Sequence, residues 1–135
     1  MKIVIDNNIL LDALLNRTPF HEPAQQILLA CAETHEGCIT ANSLTDIYYM
    51  LNKMTNASNA KASVKKLMGL FTVLPVSGEE CANALLYPMD DFEDALIVEC
   101  AKKAKADCIV TRDHMFKQAV SSVQIVSTEE LLPLI

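Results

Sequence analysis

The chain predicts an α/β fold, a three-layer α/β/α sandwich around a mainly parallel central sheet, and three observations carry that expectation. Short apolar runs alternate with helix-patterned segments from one end of the sequence to the other. No internal repeat, linker or low-complexity stretch interrupts the alternation, so residues 1–135 read as a single domain. At 135 residues, 51% of them hydrophobic, the chain is long enough to bury a substantial core.

Residues 3–5 form the first strand and deliver Asp6 at its carboxyl end, where ligands bind in a parallel α/β sheet. Apolar side chains cluster over 8–15 with the spacing of a short buried helix, which Arg17-Thr18-Pro19 breaks. His21-Glu22-Pro23 opens the next helix, with proline in the first turn where no backbone donor is lost. Ala24, Ile27, Leu28 and Cys31 keep helical spacing through a segment that runs to about His35, and Gly37 stops it. A second strand follows at 38–40. Over 42–53 the pattern is again helical, with Ser43 as N-cap and Asp46 as the acid of a capping-box-like pair. Leu44, Ile47, Tyr48 and Leu51 face the core.

A helix over 60–70 sets Lys61, Lys65 and Lys66 near one face and Val64, Leu67 and Met68 on the other. The third strand, 71–76, leads to a helix begun by Ser77-Gly78-Glu79-Glu80. The acidic run Asp90-Asp91-Phe92-Glu93-Asp94 then enters a buried helix with acids at its start and lysines at its end, both favoured by the helix dipole. A fourth strand at 108–111 is followed by Arg112 and Asp113, a short helix at 115–120 and a fifth strand at 123–126. Ser127-Thr128-Glu129-Glu130 caps the terminal helix.

The five cysteines form no CxxC pair, so a zinc site and a disulfide framework are both unsupported, and most read as buried thiols. No apolar run approaches the ~20 residues of a membrane span. The start turns acidic too soon for a secretory signal, and a cytoplasmic protein is expected. A net charge of −6 argues against nucleic acid only if the acids are spread evenly. Gathered around a divalent cation, they would attract phosphate instead.

The acids do gather. Asp6 ends the first strand, Asp46 lies in the first turns of the helix after the second, and Asp113 follows the fourth. Asp94 starts the helix that runs back antiparallel into strand four, so its end also lies at the carboxyl edge of the sheet. Each acid has a local alternative: a turn for Asp6, a capping partner for Asp46, dipole compensation for Asp94 and a cap for Asp113. Converging on one edge, they are the hard oxygen ligands that Mg²⁺ and Mn²⁺ prefer. Asp90, Asp91 and Glu93 read as solvated, although Asp91 at spacing i, i+3 shares a face with Asp94. Asp12 reads as an exposed or locally paired residue on the first helix.

On these motifs the chain resembles the PIN-domain family, the fold of VapC-type toxin ribonucleases. The resemblance rests on Ile3-Val4-Ile5-Asp6-Asn7-Asn8, Ser43-Leu44-Thr45-Asp46, Asp94-Ala95-Leu96-Ile97 with Ala101, and Ala106-Asp107-Cys108-Ile109-Val110-Thr111-Arg112-Asp113. It implies that Asp6, Asp46, Asp94 and Asp113 hold one or two Mg²⁺ or Mn²⁺ ions and hydrolyse single-stranded RNA. Asn8 and Thr111 match positions that orient those acids. An antitoxin protein and a homodimer are further implications. Two departures stand out: the second acid is Asp46 where the family usually has Glu, and Met115 precedes Phe116 where an Asp is frequent. His114, in that turn, is given no role.

Substrate contact is expected from Arg112 and Lys117 near the acidic motifs, with Arg17 beside them. The lysines from Lys53 to Lys66 read as a solvated face, and Tyr48 and Tyr49 as core or interface residues. A PIN-like nucleic-acid-binding or regulatory module, weak or silent as a nuclease, is the competing reading. A phospho-acceptor receiver domain would need an acid at the end of strand three, where Leu74-Pro75-Val76 stands.

Overall fold

A computed structural model describes residues 1–119 and 121–135. Among these residues, five parallel strands, β1 (Lys2–Ile5), β2 (Glu36–Thr40), β3 (Thr72–Leu74), β4 (Cys108–Val110) and β5 (Gln124–Val126), form one sheet in the order β3-β2-β1-β4-β5. Among the same residues, eight α-helices pack around the sheet: α1 (Asn7–Leu14), α2 (His21–Glu33), α3 (Ala41–Met54), α4 (Ala57–Leu70), α5 (Gly78–Ala84), α6 (Phe92–Lys103), α7 (His114–Lys117) and, after β5, α8 (Thr128–Leu131). Val120, the last residue of the predicted helix at 115–120, lies outside the described residues.

The side-chain alternation of β1 divides the core. Ile3 and Ile5 face one side with Ile9, Ile27, Ile47, Leu67 and Leu131, which come from α1 to α4 and α8. Val4 faces the other with Leu74, Leu96, Ile109 and Phe116, alongside α6 and α7. Both faces of a parallel sheet are therefore covered, which is the three-layer sandwich. Across the sheet β1 is central, with Val4 opposite Cys38 of β2 and Ile109 of β4.

That strand order has a consequence for function. The chain steps outward from β1 to β3, then returns to place β4 on the other side of β1. The connections diverge at the β1/β4 seam, and a crevice opens beyond the carboxyl ends of those two strands.

Several local expectations are corrected. Ser43 is not an N-cap: α3 starts two residues earlier, and Ser43 is buried with its hydroxyl 2.7 Å from that of Thr40. Met68 faces solvent, leaving Leu67 as the buried residue of that turn. Gly37 does not end α2, which stops at Glu33; it sits inside β2. A Cβ there would stand 2.6 Å from Phe71 Cδ1 and 2.9 Å from Cys31 Cβ, so glycine admits the aromatic ring against the strand. Gly37→Ala is expected to cost about 1–3 kcal/mol by overpacking, read as a lower urea midpoint at unchanged slope. The four fully packed thiols, Cys31, Cys38, Cys100 and Cys108, are raised by burial to about 11–12, as inert core groups.

Two buried carboxylates fasten α5 to α6. Glu80 accepts from Lys103 at 2.7 Å and from Ser77, and Glu99 accepts from Asn83 at 3.0 Å and from Tyr87. Together with the fully packed run Ala95 to Ala101, they hold α6 so that its N-terminus reaches the crevice.

Candidate active site

The crevice is a cavity of about 300 Å³ lined by Asp6, Asp91, Glu93, Asp94 and Asp113, with Asn7, Asn8, Asn42 and Arg17 around them. Asp6 is 7% exposed, and every polar contact it makes is accounted for. Its Oδ1 accepts the backbone N–H of Asn7 at 2.8 Å, capping α1. Its Oδ2 accepts the Thr111 hydroxyl at 2.7 Å and Asn8 Nδ2 at 3.1 Å. Asn8 also donates to Thr111 Oγ1 and takes the Arg112 backbone N–H, so residues just after β1 are tied to those just after β4. Asn8 and Thr111 thus both donate to the same Asp6 oxygen.

Asp113 caps α7 with Oδ1, and Asp91 caps α6 by accepting the Asp94 backbone N–H at 3.0 Å. Capping and cavity-lining are thus not alternatives: one carboxylate oxygen serves the helix while the side chain still borders the cavity. Asp91 stands just outside α6 and does not share a helix face with Asp94.

Asp46 is the predicted residue that the cavity does not bring in directly. Asn42 and Met50, one turn before and after it on α3, line the space. Among the described residues, Asp46 is linked to it through Asn7 Nδ2, which donates to its Oδ2 at 3.2 Å, and through Glu93. Glu93 is exposed, as expected of a solvated acid, and it also lines the cavity wall facing Asp46. Burial first, then Asp46, then the charges of Asp91 and Asp6 hold its carboxyl above the usual range. No local signal marks it, because α6 is apolar on nearly every face and its periodicity does not say which way the first turn points.

The field in the cavity is strongly negative. Asp94, half-buried, is pushed up to about 7, by burial first and then by Asp91, Asp6, Asp113 and Glu93. Asp6 is also raised by burial, against the hydrogen bonds from Thr111 and Asn7. A group whose folded pKa exceeds its unfolded one binds more protons when folded, so stability falls as pH rises through the window. In chelator-treated protein, Asp94 should remove stability between about pH 4 and 7, in the range of ~1–2 kcal/mol after solvent screening. Melting temperatures of wild type and Asp94→Asn should converge at pH 4–5 and separate towards pH 8, the variant being the more stable.

The donor set suits a hard divalent cation. All the lining acids offer oxygen, and two further oxygens, Asn7 Oδ1 and Asn42 Oδ1, are buried without a partner among the described residues. Among the described residues, no three acidic, histidine or cysteine side chains are already drawn together as a ready metal grip. The carboxylates surround the space at its rim.

Three other residues fall differently from expectation. Asp12 is fully buried, not exposed, and is paired across the chain: Arg112 Nε and Nη2 hold its two oxygens at 2.6 and 2.9 Å, with Arg17 at 3.7 Å. Arg112, expected to contact substrate through its charge, spends that charge on Asp12 and lies over the Phe20 ring, 4.0 Å from its centroid. Lys117 likewise pairs with Glu130 at 2.6 Å.

A parallel α/β sheet with a carboxylate-lined crevice at its topological switch defines a class of proteins. Within it, the family model described as PIN domain matches residues 2–115. The chain belongs to the PIN domain family. Solved structures with the same fold include VapBC2 from Rickettsia felis bound to a DNA fragment from their promoter, at 16% identity over 94% of this chain and 98% of that one, TM-score 0.73. VapC20 from Mycobacterium tuberculosis, a sarcin-ricin loop cleaving toxin, is 16% identical over 87% and 96%, TM-score 0.70. DNA-bound VapBC from Salmonella typhimurium is 16% identical over 95% and 98%, TM-score 0.73. No curated protein matches by sequence.

Proposed function

We propose that this chain is a divalent-metal-dependent endoribonuclease that hydrolyses phosphodiester bonds of single-stranded RNA, as the toxin of a toxin–antitoxin pair. The observation that supports it most is the gathering of Asp6, Asp91, Glu93, Asp94 and Asp113 around one cavity, where burial first and then the neighbouring acids push Asp94 up to about 7. Acids forced together at this cost to the fold are explained by a cation that relieves them.

Asp6, Asp94 and Asp113 are assigned as ligands of Mg²⁺ or Mn²⁺, with Asp46 in the position of a fourth. Glu93, one methylene longer and facing Asp46, extends the reach that Asp46 lacks. When bound, the cation supplies an activated water and offsets charge building on a phosphoryl oxygen. The protein's part is orientation. Thr111 and Asn8 fix Asp6 so that its carboxylate does not swing, and Asp91 fixes the first turn of α6 that carries Asp94.

An antitoxin partner is proposed because two of the structural relatives are toxin–antitoxin complexes. A homodimer and a cytoplasmic site of action complete the proposal. No helix among the described residues is long and apolar enough to cross a membrane.

The displacement of Asp46 from the cavity wall favours one second reading, a PIN module that binds nucleic acid with little or no turnover. A titration decides between them. Single-stranded RNA incubated with the protein should be cut once Mn²⁺ or Mg²⁺ is added, and a chelator should stop it. RNA bound with a metal-independent affinity and left intact selects the second reading.

A further inference from the structure

A second cavity, of about 540 Å³, opens beside the first and shares Asp113 with it. Thr111 borders it too, so one loop after β4 walls both spaces. Its volume lies well inside the range of roughly 300–1,000 Å³ typical of small-molecule sites, whereas the acid-lined cavity is at the bottom of that range.

The cations of this cavity are already neutralised. Arg112 is held by Asp12 through two hydrogen bonds, and Lys117 by Glu130. A phosphate site would leave such charges free. What remains is a fixed plane: a guanidinium stacked on the Phe20 ring, with Pro19 and Pro23 stiffening the segment that carries the ring. Guanidinium planes and aromatic rings are the surfaces on which unstacked RNA bases settle. Because Asp12 locks Arg112, little side-chain freedom is lost when a base arrives. Around the plane stand the exposed Gln118 and Glu129. Gln118 offers a donor and an acceptor to a base edge, and a carboxylate accepts base N–H groups. The hydrogen bond from its own backbone N–H, followed by those from Ser127 and Thr128, holds Glu129 below the usual range and so ionised.

We infer that this second cavity is a base-binding subsite: the nucleotide adjoining the scissile phosphate stacks on the Arg112–Phe20 pair and is read at its edge by Gln118 and Glu129. The inference rests on the ribonuclease reading for what brings an RNA strand to the cavity.

The test separates the two. The four 5′-ribonucleoside monophosphates, with ribose 5-phosphate as a base-free control, are titrated into the protein while the Arg112 Nε–H and Gln118 amide resonances are followed. Nucleotides should move both signals, with affinities that differ among bases, and ribose 5-phosphate should not. Phe20→Ala and Gln118→Ala should each weaken nucleotide binding, the loss of stacking by about five-fold or more. Equal shifts with ribose 5-phosphate, or wild-type affinity in both variants, would overturn the subsite. Base-dependent binding without RNA cleavage at any metal concentration would overturn the ribonuclease reading and keep the subsite. Cleavage with no base-dependent shift at these residues would do the reverse.

Discussion

Asp6→Asn should lower metal-dependent RNA cleavage by about 10³-fold or more and should weaken Mn²⁺ binding in a calorimetric titration, with the fold intact. The substitution keeps a carbonyl oxygen to take the Asn7 N–H and cap α1. It also places an amide NH₂ opposite Asn8 Nδ2, where the carboxylate had accepted. That mismatch costs about 1–2 kcal/mol, and removing a buried charge repelled by Asp113 and Asp91 offsets part of it. Circular dichroism and the urea midpoint should therefore change little. Cleavage at the wild-type rate by Asp6→Asn would remove the carboxylate cluster from any account of the activity.

Arg112→Met should be the most damaging single change to stability outside the core. It leaves the fully buried Asp12 carboxylate with only Arg17, at 3.7 Å, for compensation. Breaking a buried pair from one side costs about 3–5 kcal/mol, and the residual Arg17 contact places this case near 3. The double variant Asp12→Leu/Arg112→Met should recover most of the loss, because neither buried charge remains. Urea unfolding of the four proteins at pH 5 and pH 8 completes the cycle. A double variant no more stable than Arg112→Met would show that Arg112 acts through its Phe20 contact alone.

Much of this architecture is legible residue by residue. Asp6, Asp113 and Asp94 could be placed because a strand end or a helix start fixes where a side chain emerges in a parallel sheet, and that needs only local pattern. The strand order could not, since nothing in the short apolar runs tells which neighbours pair. Asp12 shows the limit most clearly. Its partner is 100 residues away, and a carboxylate on an amphipathic helix looks the same in sequence whether it meets water or a guanidinium. Glu93 was hidden for a different reason: its helix is buried almost all round, so no polar face betrays the direction of its first turn. Asp46 is legible as a residue of α3, whereas its contacts to Asn7 and Glu93 come from two other segments and leave no mark in the local pattern.

The web that ties Asp6 to Thr111 and Asn8 to Arg112 joins residues more than 100 positions apart. A polypeptide made from its N-terminus displays Asp6 early, but lacks the Thr111 hydroxyl that steadies it and the Asp113 carboxylate across the cavity until β4 and the loop beyond have been synthesised. Domains fold as units once the required segments are available. On the proposed ribonuclease reading, activity is expected to follow the docking of β4 beside β1 and not to precede it.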